Sequence, residues 1–230
     1  MGGRMIRVSP VAAVISLLAL IGLAVSASAK SSGTSSWTVY DYNPSGQALA
    51  PRVADKTSPP SVTGNTATFN FLPNTYTALL TSTDSSLTGD LTGMRLTDSV
   101  TVSGVTGQFQ DQNGGGCTPD LQSTRLFFSS PGFEFTNFWW SNPASVTLTA
   151  ADFPIGSLTL TITGNLTNPG EWSDWNGKNG LDSSAVTDGF YAAVSKVQTV
   201  GLSFGGGCFF ENGVTTNDGS GTLTSVFSEN

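Results

Sequence analysis

The feature that most constrains this chain is an alternation of apolar and hydroxyl side chains with a period of two. Between residues 157 and 163, Leu158, Leu160 and Ile162 alternate with Ser157, Thr159, Thr161 and Thr163. Successive side chains of a β-strand point to opposite faces, so such a segment belongs to a sheet with one buried and one wet face. The pattern recurs in residues 66–71, where Ala67, Phe69 and Phe71 share a side. Val100 with Val102, Val146 with Leu148, and Val200 with Leu202 and Phe204 repeat it. Residues 37–42 read as an opening strand, and residues 43–65, with Pro44, Pro51, Pro59 and Pro60, as irregular.

Turn chemistry separates these runs: Asn113-Gly, Pro131-Gly, Asn142-Pro, Asn168-Pro-Gly, Asn212-Gly and Asp218-Gly. One short helix is expected, capped by Asp188, with Phe190, Ala193, Val194 and Val197 on its apolar face. Many short strands with Gly/Pro punctuation predict an all-β fold, a single antiparallel β-sandwich of the jelly-roll kind with at most one short helix. The expected organisation is a leader over residues 1–29, an N-terminal strand and irregular Pro/Ser-rich segment over 30–65, and a sandwich domain over 66–230.

The wet faces need little charge. Charged residues make up 11% of the chain, against 30 serines and 30 threonines, so hydroxyl groups supply most of its polarity. The chain has no histidine, which excludes histidine-based catalysis and histidine-ligated zinc. Nine basic residues at a pI near 4.3 give no electrostatic footprint for nucleic acid. Arg4 and Arg7, the apolar run of residues 11–25 and Ala27-Ser28-Ala29 form a secretory leader with its cleavage pattern, cut before Lys30. The apolar run is shorter than the ~20 residues of a spanning helix, so the cleaved chain is expected to be secreted, without stable membrane insertion. Losing Arg4 and Arg7 takes the net charge from −7 to −9.

Export gives meaning to the two cysteines. Cys117 and Cys208 each end a Gly-Gly-Gly-Cys run, and an oxidising compartment lets them pair. No CxxC spacing or histidine favours a redox or metal role over a structural staple. Closing a loop of this length is worth roughly 4–5 kcal/mol by chain entropy.

Three segments could carry chemistry. Residues 133–140 read F-E-F-T-N-F-W-W, and residues 171–176 read E-W-S-D-W-N. In a continuous strand, Phe133, Phe135, Asn137 and Trp139 face one way, and Glu134, Thr136, Phe138 and Trp140 the other. Sugar rings stack on indole while amides and carboxylates hydrogen-bond their hydroxyls. Trp140, Trp172 and Trp175 would therefore stack on a glycan, with Asn142, Asp174 and Asn176 orienting it. The competing expectation is that these tryptophans plug the sandwich core. Asp174, Asn176, Lys178, Asn179 and Asp182 partly follow a calcium-loop spacing, but Lys178 and Asn179 break it and no glutamate closes it. No cofactor is expected, calcium being the one weak candidate. A carboxylate-pair glycosidase would use Glu134 with Glu171 or Asp174.

The runs F-W-W-S-N-P at 138–143, E-W-S-D-W-N-G at 171–177 and G-L-S-F-G-G-G-C-F-F-E-N-G at 201–213 resemble uncharacterised secreted bacterial proteins with a galactose-binding-like jelly roll. The resemblance covers roughly residues 90–228 and implies a fold akin to that of carbohydrate-binding modules. The expected function is thus a secreted non-catalytic module that binds extracellular or cell-wall polysaccharide. The alternatives are a surface or matrix protein without a small ligand, and a glycosidase using Glu134. One expectation is directly measurable: mass spectrometry of the exported protein, alkylated without reduction, should find neither Cys117 nor Cys208 labelled.

Overall fold

The computed structural model describes residues 36–53, 58–112, 123–147, 157–205 and 211–230. The expected leader, Cys117, Cys208, both Gly-Gly-Gly-Cys runs and Leu148 lie outside the described residues. The described strands are β1 Trp37–Tyr42, β2 Ser61–Thr63, β3 Thr66–Asn70, β4 Tyr76–Ser82, β5 Arg95–Ser103, β6 Phe109–Asp111 and β7 Ser123–Ser129. They continue as β8 Phe138–Thr147, β9 Ser157–Asn165, β10 Trp172–Asp174, β11 Thr199–Phe204, β12 Val214–Thr216 and β13 Thr222–Glu229. A helix, α1, spans Ser184–Val194.

The strands form two antiparallel sheets. The first runs β10-β8-β7-β11-β4-β12-β6, with β1 also paired to β4; the second runs β2-β3-β13-β5-β9. Their facing sides meet in one core. Trp37 of β1 meets Phe227 of β13 edge-on at 6.3 Å, and Phe69 of β3 meets Phe204 of β11 at 6.1 Å. The expected all-β antiparallel sandwich is what the chain builds, with one short α-helix among the described residues.

The second sheet shows how alternation becomes structure. On β5, Leu96, Asp98, Val100 and Val102 are buried while the residues between them are not. The outer side is laced by hydroxyl pairs, Thr97 with Thr163 at 3.2 Å, Thr101 with Thr159 at 2.8 Å and Thr68 with Thr224 at 3.0 Å. Such cross-strand pairs each contribute a few tenths of a kcal/mol, up to about 1. The first sheet is different. Every residue of β7 is buried, including Arg125 and Phe127, which face away from the sandwich core. A strand covered on both sides loses its polar alternation, which is why this run showed none in the sequence.

Local chemistry also moves the helix start. The helix begins at Ser184, not near Asp188, because extended Ser183 accepts a hydrogen bond from the Val186 amide. Val186, Phe190, Ala193 and Val194 form its buried side; Asp188 is exposed and mid-helix, and Val197 falls in a β-bridge beyond it. The N-terminal segment is tied in as well. Arg52 forms a buried ion pair with Asp41 at 2.8 Å, donates to the Asn70 carbonyl at 2.8 Å and lies 5.2 Å from the Phe69 ring centre. The sandwich therefore starts at Trp37, and residues 48–53 are fastened to its surface.

Asp98 is the one acid on the inner side of β5, and it is fully buried. Burial pushes its carboxyl up to about 7, opposed by the Ser225 hydroxyl at 2.7 Å and the Val226 amide. An unfolded Asp titrates near 3.9, so between about pH 4 and 7 the folded state holds the extra proton and stability falls as pH rises. Asp98→Asn should remove this loss: its unfolding free energy from urea titration, equal to the parent's or lower at pH 4, should gain on the parent by about 4 kcal/mol between pH 4 and pH 8.

Candidate functional site

The Trp139-Trp140 pair divides between the two faces of the first sheet. Trp139, opposite Phe128, enters the sandwich core and meets Phe190 of α1 edge-on at 4.9 Å. Trp172 joins it, 5.0 Å from Phe128. Gly164 makes room for that indole, since a Cβ there would come within 2.6 Å of Trp172 Cζ2. Trp140, opposite Phe127, faces outward into a second aromatic layer. There it lies 5.2 Å from Phe127 and 5.7 Å from Trp175, which meets Phe138 at 5.6 Å.

All five tryptophans are buried, with Trp140, Trp172 and Trp175 at 1%, 0% and 5% exposure. The stacking role expected of these three indoles is therefore not available in this fold: their faces are occupied by neighbouring rings, because so much apolar area gains most from packing. Trp140 Nε1 instead donates to Ser203 Oγ at 3.1 Å. Asp174, also buried, accepts from the Asn176 and Lys178 amides at 2.9 Å each and shapes the turn after β10. Burial pushes its carboxyl upward, and the Lys178 and Asn176 amides partly oppose that. Asn142 is exposed on β8 and donates to Ser173 Oγ at 2.7 Å; Asn176 is exposed beyond Trp175.

The run 133–140 is not a continuous strand. Residues 131–134 bend, Phe135–Asn137 form a 3-10 turn, and the strand begins at Phe138. Pro131 and Gly132 cause the break; Gly132 sits at φ +109°, which a side chain would resist. The loop closes on itself, the Ser130 amide donating to the Asn137 carbonyl at 2.8 Å and the Asn137 amide to the Glu134 carbonyl at 2.9 Å. It is also fixed to the body of the fold. Trp139 Nε1 donates to the Thr136 carbonyl at 2.8 Å, the Trp175 amide to the Phe135 carbonyl at 3.4 Å, and Thr136 packs against Gly189 of α1.

This leaves Phe133 at 60% and Phe135 at 49% exposure on a braced tip. Trp175 brings exposed Asn176 to the same region, whereas Asn142 lies farther along β8. Reading 133–140 as one strand hid the tip; the Pro131-Gly132 dipeptide was the signal that could have revealed it.

A second cluster lies behind the tryptophans. Glu211 is buried beside Tyr42, whose hydroxyl donates to it at 3.3 Å. Burial pushes the Glu211 carboxyl up to about 7, opposed by Arg125, Tyr42 and Trp140 among others. These groups join polar side chains to the outer aromatic layer, and none of them is open to solvent.

The other candidates are engaged locally. Glu134 is exposed on the bend, while Glu171 accepts from the Asn165 amide at 2.9 Å and Asn168 Nδ2 at 3.1 Å. In the calcium-like loop, Asp182 Oδ2 and Asn179 Oδ1 accept from the backbone amides of Asn179 and Leu181. Among the described residues, no group of three His, Cys, Asp or Glu side chains is placed to hold a metal ion. No helix of the described residues is long and apolar enough to cross a membrane.

No protein-family model matches the chain. No curated protein matches it either. Among solved structures, the L4b domain of human laminin alpha-2 is similar over 82% of this chain and 90% of that domain, at 11% identity and a TM-score of 0.36. A likeness that distant carries no conclusion about activity. The class of protein is therefore defined by its own geometry: an antiparallel β-sandwich with a braced, aromatic tip.

The packing is testable without a ligand. Iodide should leave the native tryptophan emission nearly unquenched, and Trp140→Ala should cost about 3–5 kcal/mol in chemical denaturation.

Proposed function

We propose that this chain is an exported, non-catalytic binding module for extracellular or cell-wall polysaccharide, and that Phe133 and Phe135 take the stacking role the sequence assigned to tryptophan. The observation that carries this reading is the exposure of two phenyl rings on a loop held by backbone bonds and by the Trp139 indole. An exposed ring on a rigid support stacks on the C–H face of a sugar at little entropic cost. Asn176 offers an amide beside it. The leader supports export, and the absence of histidine together with the local engagement of Glu171 and Asp174 supports binding over hydrolysis.

A second reading, a surface or matrix protein without a small ligand, is favoured by the burial of all five tryptophans. Retention on insoluble polysaccharides separates the two. The binding module should be retained on at least one neutral glycan. Phe133→Ala and Phe135→Ala should each weaken that retention by roughly tenfold, an aromatic contact of about 1 kcal/mol or more, with unchanged thermal midpoints. Retention of the parent on none of them would leave the matrix reading. Hydrolysis of a bound glycan that Glu134→Gln abolishes would replace both with the glycosidase.

A further inference from the structure

Of the strands that end the two sheets, β9 is the one that no described residue protects. Proteins blunt sheet edges with short strands, charges, proline or bulges, because a row of unpaired backbone groups recruits another strand. The strands at the other ends, β2, β6 and β10, are three residues each. The outlying strand β1 has a bulge at Tyr40/Asp41 and a covering bridge to Arg52. β9 runs for nine residues, pairs with β5 without a register shift, and carries no charge and no proline.

The geometry shows which groups are open. The Arg95 amide and carbonyl bond Asn230, on the side away from β9, so Arg95 and its partner Asn165 do not exchange hydrogen bonds. The Asn165 amide accordingly points outward, to Glu171 Oε2 at 2.9 Å. Alternation then turns the backbone groups of Thr159, Thr161 and Thr163 the same way. No described residue bonds them. Beside this row, Leu160 is only half-buried although its β5 partner Val100 is fully buried. Among the described residues the edge thus lacks a neighbour on both counts, hydrogen bonding and apolar cover.

We infer that β9 pairs antiparallel with β9 of a second copy of this chain, about a two-fold axis at Thr161. The segment is self-complementary in that arrangement. Thr159 faces Thr163 of the other copy, Thr161 faces itself, and Leu160 faces Ile162. The outer side extends the hydroxyl ladder already formed between β5 and β9, and the inner side covers Leu160. The charge-free edge brings two acidic chains together where their repulsion is least. Glu171, holding the Asn165 amide, ends the pairing and fixes its register.

Sedimentation equilibrium on the exported protein tests this. The parent should form a concentration-dependent dimer, and raising the concentration should slow hydrogen exchange at the Thr159, Thr161 and Thr163 amides. Thr161 is exposed, so Thr161→Lys and Thr161→Glu should each fold with an unchanged melting midpoint. Each should sediment as a monomer, because the axis places like charges together. Mixing the two should restore the dimer. A parent that stays monomeric at every concentration would overturn the inference. So would a dimer that persists in both variants, a mixture that stays monomeric, or open-ended fibres in place of a closed pair.

Discussion

The structure depends on the first sheet being packed with aromatic rings on both of its faces. Trp139, Trp172, Phe128 and Phe190 fill the side toward the second sheet, and Trp140, Trp175, Phe127 and Phe138 fill the other. Buried aromatic area at this density is the largest cohesive term open to a chain with so few charges. It also fixes the neighbouring pieces. The Trp139 indole holds the 130–137 loop, Gly164 exists to admit Trp172, and α1 closes the sandwich through Phe190.

Because the tryptophans hold the fold, they are withdrawn from ligand chemistry. The same rings that looked like a sugar platform form the floor on which a smaller platform stands. Phe133 and Phe135 are exposed since the turn at Gly132 carries them past the end of β8, beyond reach of either aromatic layer. The second sheet solves the opposite problem. It keeps one face wet with hydroxyls in place of charges, and cross-strand threonine pairs satisfy each other there.

How much of this was legible follows the physics of each element. The alternation in 157–163 led directly to β9, and residues 37–42 to β1, because period-two patterns report a one-sided strand. β7 gave no such signal, because both of its faces are buried. The helix was found from Phe190, Ala193 and Val194, yet its start was misplaced, since one serine in extended conformation outweighs an acid farther along. Of the six expected binding residues, four turned out buried and two exposed. Residue type cannot distinguish a stacking indole from a packed one.

The sequence by itself determined the class of structure and the absence of histidine chemistry: strand periodicity, turn dipeptides and composition are local and additive. Only the tertiary structure decided which rings reach solvent, which acids are buried and which sheet edge is left open. Those properties depend on what lies opposite a residue in space. Trp139 and Trp140 are adjacent in the chain, yet they sit on opposite sides of a sheet, Trp139 against Phe190 of α1 and Trp140 against Ser203 of β11.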